Sequence, residues 1–205
     1  MKSERRVLVF DIIILMNELY FSEAVVLDRE DANDVDGRFS VYAKGFGKFF
    51  AKAKSARKIL SKLSGHLEPG SLVKIRLVGN GSFQVVDALK FGKVEISSPD
   101  LYFLDRLLPE QDFDFQIWEM LTKGSPSTGS GLDSTSSPRV KFSWPVALKI
   151  LGWDPEHATC EFSRLGKPAY FDLRGQGFIC EECVSKKTVG TLQRKKRNQE
   201  LIKVF

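Results

Sequence analysis

The chain has little of the chemistry that most enzymes use. It carries two histidines and three cysteines in 205 residues. Neither His66 nor His157 stands in a motif for acid–base catalysis. His66 precedes the turn Leu67-Glu68-Pro69-Gly70 and reads as a cap at a helix end. The stretch Gly45-Phe46-Gly47-Lys48 lacks the G-x-x-x-x-G-K-[ST] spacing of a phosphate loop. Asp31, Asp34 and Asp36 cluster, but acids in turns are usually solvated, and a metal-dependent nuclease needs further carboxylates that the sequence does not supply. An odd cysteine count argues against a secreted disulfide framework and for a reducing cytoplasm. No apolar run approaches the ~20 residues that span a bilayer. The longest, in "RRVLVFDIIILM" (5–16), is interrupted by Asp11 and leads to no small-residue cleavage site. Residues 1–19 therefore read as a cytoplasmic extension, the alternatives being a signal peptide, a start at Met16, or an element packing Val7, Val9 and Ile13 on the core. No internal repeat is evident.

What is abundant is positive charge, unevenly placed. The net charge is +5, within an ordinary globular composition of 42% hydrophobic and 28% charged residues. Residues 38–76 hold ten Lys or Arg against one acid, and residues 184–205 hold seven against one, with acidic or neutral stretches elsewhere. Such blocks point to a localised surface for a polyanion. The densest stretch, "AKGFGKFFAKAKSARK" (43–58), has six basic residues, three Phe and no acid.

Residues 20–97 read as β-rich. Strands are expected at "FSEAVVLD", "RFSVYA", "KFFAKAKSA", "SLVKIRLV" and, after the turn signal Asn80-Gly81, "NGSFQVVDA". A short helix around Ile59, Leu60 and Leu63 ends at Pro69-Gly70. Five strands with one helix before the fourth suggest a small closed barrel, with the OB-fold as the natural candidate. Residues 98–205 switch to helical spacing. Ser98 or Asp100 is the expected cap of a first segment, and Pro145 opens a later helix that Gly152 closes. Between them, residues 124–138 are almost free of apolar groups and read as a linker. A Cys loop (157–183) and a basic tail (184–205) follow. Leu192, Leu201, Ile202, Val204 and Phe205 suggest that part of the tail docks. The fold class is thus α+β: an OB barrel, then a small helical domain with a zinc-finger-like loop.

On a strand, Lys48, Phe50, Lys52 and Lys54 share one face. Cations there neutralise phosphates, and an exposed ring stacks a base for ~1–3 kcal/mol. Lys44, Arg57, Lys58 and Lys62 extend this surface, and Lys74 and Arg76 join it from the next strand. Phe46 is a second candidate ring. The bland alternative is a solvated face with all three Phe in the core.

The order "EAVVLDRED…GRFSVYAKGFGKFFAKAKSARKILSKLSGHLEPGSLVKIRL", and later "LKILGWDPEHATC", resembles the bacterial RecO recombination-mediator family over roughly residues 20 to 183. The shared pieces are Val26-Leu27, Gly47-Lys48, the basic run at 53–58 with Ser61-Lys62, and Leu67-Glu68-Pro69-Gly70. Ser55 replaces a family Gly. The resemblance implies a non-enzymatic protein that binds single- and double-stranded DNA, anneals complementary strands and assists recombinase loading. Its implied partners are RecR and the acidic C-terminal tail of single-strand-binding protein, the latter near Leu148, Ile150 and Trp153. It also implies two C-x-x-C knuckles around one structural zinc. Cys180 and Cys183 form the second, but Ser163 stands where the first needs its second Cys. His157 lies three residues before Cys160, so His157, Cys160, Cys180 and Cys183 are the expected Cys₃His set. The alternatives are a vestigial loop held by Phe162, Tyr170, Phe171 and Phe178, or a redox dithiol, which Glu181 and Glu182 disfavour. Rival functions are an OB-type RNA-binding module, a metal-dependent nuclease and a protein-interaction scaffold.

Overall fold

A computed structural model of the protein describes residues 18–31, 36–54, 61, 63–79, 82–122, 142–164, 166–188 and 201–205. The expectations for residues 1–17, for Arg57, Lys58 and Lys62, for the linker 124–138 and for most of the basic tail lie outside these residues.

The architecture is mixed α+β. Strands β1 (Leu19–Asp31), β2 (Gly37–Ala43), β3 (Gly47–Ala53), β4 (Ser71–Val78) and β5 (Phe83–Lys93) form a closed barrel in the order β1-β2-β3-β5-β4. β1 is long enough to serve two neighbours. Its first half pairs with β4, from Leu19↔Val78 to Val25↔Leu72, and its second half pairs with β2. The β1–β2 register shifts between Val26 and Asp28, the kind of irregularity that bends a strand around a barrel. A short parallel contact, Ala51↔Phe83 and Lys52↔Gln84, closes the ring between β3 and β5.

Alternation sets which side chains fill the barrel. Ala24 and Val26, Phe39 and Val41, Phe49 and Ala51, Val73, Ile75 and Leu77 form its buried interior. The opposite parity of β1 and β2 is also apolar: Val25, Leu27 and Tyr42 lie in a second core with the helices. This double burial explains why "SVYA" reads as a continuous apolar run rather than an alternating one. Gly47 shows how tightly the barrel meets the rest. It sits at φ 74°, and a Cβ there would lie 2.2 Å from the carbonyl oxygen of Asp112.

The segment after the barrel forms two helices. They are α1 (Ser98–Leu107) and α2 (Phe115–Thr122). The cap of α1 is Ser97, one residue before the expected Ser98; its hydroxyl accepts the Asp100 N–H at 3.2 Å. α3 (Trp144–Ile150) begins with Pro145 in its first turn, and Gly152 follows at φ 96°, as the sequence suggests. Trp144 Nε1 donates to Asp100 at 2.7 Å and ties α3 to the start of α1. His66 is not a helix cap: its Nδ1 accepts the backbone N–H of Lys90 at 3.2 Å, bracing the loop against β5.

The Cys region carries strands that periodicity did not reveal. β6 (Tyr170–Asp172) and β7 (Gly177–Ile179) form a hairpin, α4 (Glu181–Thr188) follows, and β8 (Leu201–Lys203) returns to pair with β6. Ile202 and Val204 are buried in the core shared with the helices, so the apolar end of the tail does dock. No helix among the described residues is long and apolar enough to cross a membrane.

Candidate nucleic-acid interface and cysteine cluster

The barrel divides the sequence-predicted basic residues between two faces. In the ring order, β4 is separated from β3 by β5 and from β2 by β1. It is therefore the strand farthest from the β2–β3 pair, and its outward side chains point away from theirs. Lys74 and Arg76 do not join Lys52 and Lys54, because the strand next in sequence is not the strand next in space.

On the β2–β3 face, Arg38 lies opposite Lys52 and Ser40 lies opposite Phe50. Lys52 and Lys54 are exposed. The guanidinium of Arg38 covers the half-buried Phe50 ring at 4.1 Å and reaches Glu30 at 3.4 Å. A groove of about 410 Å³ runs past Arg38, Phe50, Lys52 and Phe83 towards Glu110 and Gln111. Phe50 therefore offers a ring already stacked on a cation, and a base can reach its face only if Arg38 swings aside. Phe49 is inside the barrel, and Phe46 is an exposed turn residue set edge-on to Tyr20.

Lys48 lies near Phe50 on the same strand, its ammonium 5.7 Å from the ring centroid, but is covered. It is 7% exposed, its ammonium lies 3.6 Å from an Asp105 carboxylate oxygen, and it also donates to the Asp105 carbonyl. The hydroxyl of Ser40 donates to the same carboxylate. Asp105 is on α1, so Lys48 fastens the barrel to the helices instead of facing solvent. Tyr42 does similar work one step along, bonded through its hydroxyl to both the N–H and the carbonyl of Asp114. Burial pushes its phenol up to about 12.

The β1–β4–β5 face holds Lys44, Lys74 and Arg76. Phe21 pairs across from Arg76, and Glu23 across from Lys74. Phe21 is 65% exposed, beside an open groove of about 430 Å³ with Lys74, Arg76, Asp87 and Leu89. Lys44 reaches Glu23 at 3.8 Å. Phe21 is the uncovered ring that sequence reasoning missed. Its signal was available: once Ala24 and Val26 are assigned inward, Phe21 and Glu23 must point out.

The cysteines do converge. The sulfurs of Cys160, Cys180 and Cys183 lie within 4.8 Å of one another, close enough to hold a metal ion together. Cys160 and Cys180 are buried and Cys183 is half-buried. Burial pushes the Cys160 thiol up, but the Ser163 hydroxyl and the backbone N–H groups of Ser163, Cys180 and Phe162 outweigh it and bring it down to about 6. His157 is not part of this set. Its side chain is 82% exposed, and its Nδ1 lies 2.9 Å from Asp154 in a separate group with Glu156. The expected Cys₃His arrangement is thus replaced by three cysteines and Ser163, whose Oγ is 3.7 Å from Cys180 Sγ. Of the residues suggested for a partner's acidic tail, Leu148 is fully buried and Trp153 packs on Phe171 with ring centroids 5.1 Å apart.

No family model matches the chain. It is similar to the DNA repair protein RecO of Bifidobacterium longum, with 24% identity over 176 residues that cover 80% of this chain and 73% of that protein. It is also similar to the DNA repair protein RecO of Dehalococcoides mccartyi, with 25% identity over 183 residues that cover 82% and 71%. These similarities are distant but extend over most of the chain, and they support a RecO-like family.

Proposed function

We propose that this protein is a RecO-like, non-enzymatic mediator of DNA repair and recombination, one that binds single- and double-stranded DNA and anneals complementary strands. The observation that carries the reading is the barrel. Its order β1-β2-β3-β5-β4, with β3 and β5 parallel, is the topology we read as an OB-fold, a scaffold suited to oligonucleotides. Exposed Lys52, Lys54 and Lys74 lie on its outer faces, and none of them has an ion pair among the described residues. The distant RecO similarity supports the same assignment.

The mechanism is charge neutralisation. Two DNA strands repel each other through their phosphates; ammonium and guanidinium groups displace condensed counterions and lower that repulsion, leaving base edges free to pair. Residues 20–97 would form the nucleic-acid-binding domain and residues 98–205 a helical domain that contacts RecR and single-strand-binding protein and assists recombinase loading. A structural zinc at the cysteines, as the resemblance implies, is one ligand short: three thiols are supplied where a closed site takes four sulfur or nitrogen donors. The DNA reading does not depend on it.

The test is annealing of complementary oligonucleotides across a salt series. Lys52→Glu with Lys54→Glu should slow annealing and flatten the salt dependence by roughly 0.7–0.9 log units per lost phosphate contact, with circular dichroism unchanged. Unaltered annealing by the folded double variant removes the β2–β3 face from the mechanism.

A further inference from the structure

The cysteine cluster supplies three strong donors and, among the described residues, no fourth. Cys180 ends β7, Cys183 lies in the first turn of α4, and Cys160 comes from the loop after α3. Their mutual separations, within 4.8 Å, are near the ~3.8–4.0 Å sulfur–sulfur spacing around an ion with 2.3 Å arms. Ser163 and Gly166 lie against the cluster at Cys180. A Cβ on Gly166 would lie 2.9 Å from Cys180 Sγ, so backbone is packed directly on the sulfur. The Gly166 N–H donates to Ser163 Oγ at 3.3 Å, which ties the hydroxyl into the loop. Among the described residues no histidine or carboxylate joins the three sulfurs.

A neutral hydroxyl already engaged with its own loop is a poor ligand for zinc. Thiolates, in contrast, suit soft ions, some of which are satisfied by three.

We propose that Cys160, Cys180 and Cys183 form a three-thiolate site selective for thiophilic centres of coordination number three, of the trivalent arsenic class, over tetrahedral zinc. With arsenous acid as probe, three As–S bonds form and three As–O bonds break. Each thiol proton leaves with a hydroxide as water, so three waters are released and no oxidation state changes. Occupancy would pin the β6–β7 hairpin, α4 and the loop at Cys160 to one another.

The experiment uses the reduced full-length chain titrated with arsenite and, separately, with zinc against a chelator. Readouts are near-ultraviolet As–S absorption, native mass and free-thiol count. The chain should take one arsenic with loss of all three free thiols. Ser163→Ala should keep the same stoichiometry, one arsenic and three thiols, because the hydroxyl is not a ligand. Loss of an outer-shell partner alone moves metal affinity by about 10–100-fold, so a gained ligand in Ser163→Cys should raise zinc affinity more than about tenfold. Zinc held by the native chain as tightly as by Ser163→Cys overturns the selectivity while leaving a metal site in place. Arsenite that consumes fewer than three thiols, or no binding of either probe, overturns the site itself. Cys160→Ser, checked by circular dichroism, should lose the three-thiolate absorption; retention of it would also overturn the assignment.

Discussion

Lys48 and Asp105 give the sharpest test of how the barrel is joined to the helices. Their side chains are 8% and 11% exposed, and their charged groups lie 3.6 Å apart. At an effective dielectric of ~20 that separation is worth about 4–5 kcal/mol of attraction, most of which offsets the cost of removing both charges from water. The pair therefore adds little net stability, but either member alone is a buried charge without its counterion. Among the described residues, Lys48→Met leaves the Asp105 carboxylate with the Ser40 hydroxyl as its side-chain partner. Asp105→Leu leaves an ammonium with the carbonyl at position 105 and the Phe50 ring, 5.7 Å away, but no counterion among the described residues. Each single variant should cost about 3–5 kcal/mol. The double variant should recover part of this, giving a coupling energy of roughly 2 kcal/mol or more. Urea unfolding followed by tryptophan fluorescence measures all three, since Trp118 and Trp144 sit in the same core. Single variants that cost under about 1 kcal/mol and add without coupling would refute a buried ion pair here. The folded Lys48→Met variant should also bind DNA with an unchanged salt slope, because that ammonium never faces the solvent.

Phe21→Ala should weaken single-strand binding by about 1–3 kcal/mol if a base stacks there, with little loss of stability because the ring is 65% exposed; an unchanged affinity in a binding titration removes the ring from the interface. Tyr42 has its folded-state pKa raised to about 12 from 10.0, so its neutral form is favoured by folding. That contribution is intact below pH 10 and is lost as pH rises through 12, amounting to about 2–3 kcal/mol over the window. Tyr42→Phe should flatten that limb of an alkaline stability profile, and an identical limb in both proteins would contradict the assignment.

Local pattern was enough for most of the barrel. "SLVKIRLV" alternates, and β4 has those same bounds. β1, β2, β3 and β5 were visible as β-prone runs between Gly and Asn-Gly turns, although β1 and β5 extend further than their apolar cores suggest. What was not legible depended on pairing between distant residues. The parallel β3–β5 contact turns Lys74 and Arg76 to the far side, and nothing in their own segment records it. Asp105 is 57 residues from Lys48, so the neutralisation of that lysine could not be read from an acid-free stretch. The sheet at the Cys loop has strands of three residues each, too short for any periodicity. In the same loop, C-x-x-C spacing correctly indicated that Cys180 and Cys183 belong together, whereas the same spacing in His157-x-x-Cys160 did not. Asp154 takes the His157 ring first, within a local turn in which it also accepts the Glu156 N–H at 3.0 Å.

The division of the basic surface constrains how annealing can work. A strand on the β2–β3 face and a strand along β4 have the whole barrel between them, so their bases cannot meet while both stay seated. On the proposed function, pairing must then occur either on one face, where a second strand approaches one already neutralised, or between strands carried by different molecules. The charges favour the β2–β3 face for the first route. Lys52 and Lys54 are exposed there without an ion pair among the described residues, whereas on the β4 side Glu23 and Asp87 stand in register with Lys74 and Arg76 and dilute the positive field. The β4 side instead has the uncovered ring. On the proposed function, these two compositions imply a division of labour: stacking with modest salt dependence at β4, and phosphate neutralisation with steep salt dependence at β2–β3.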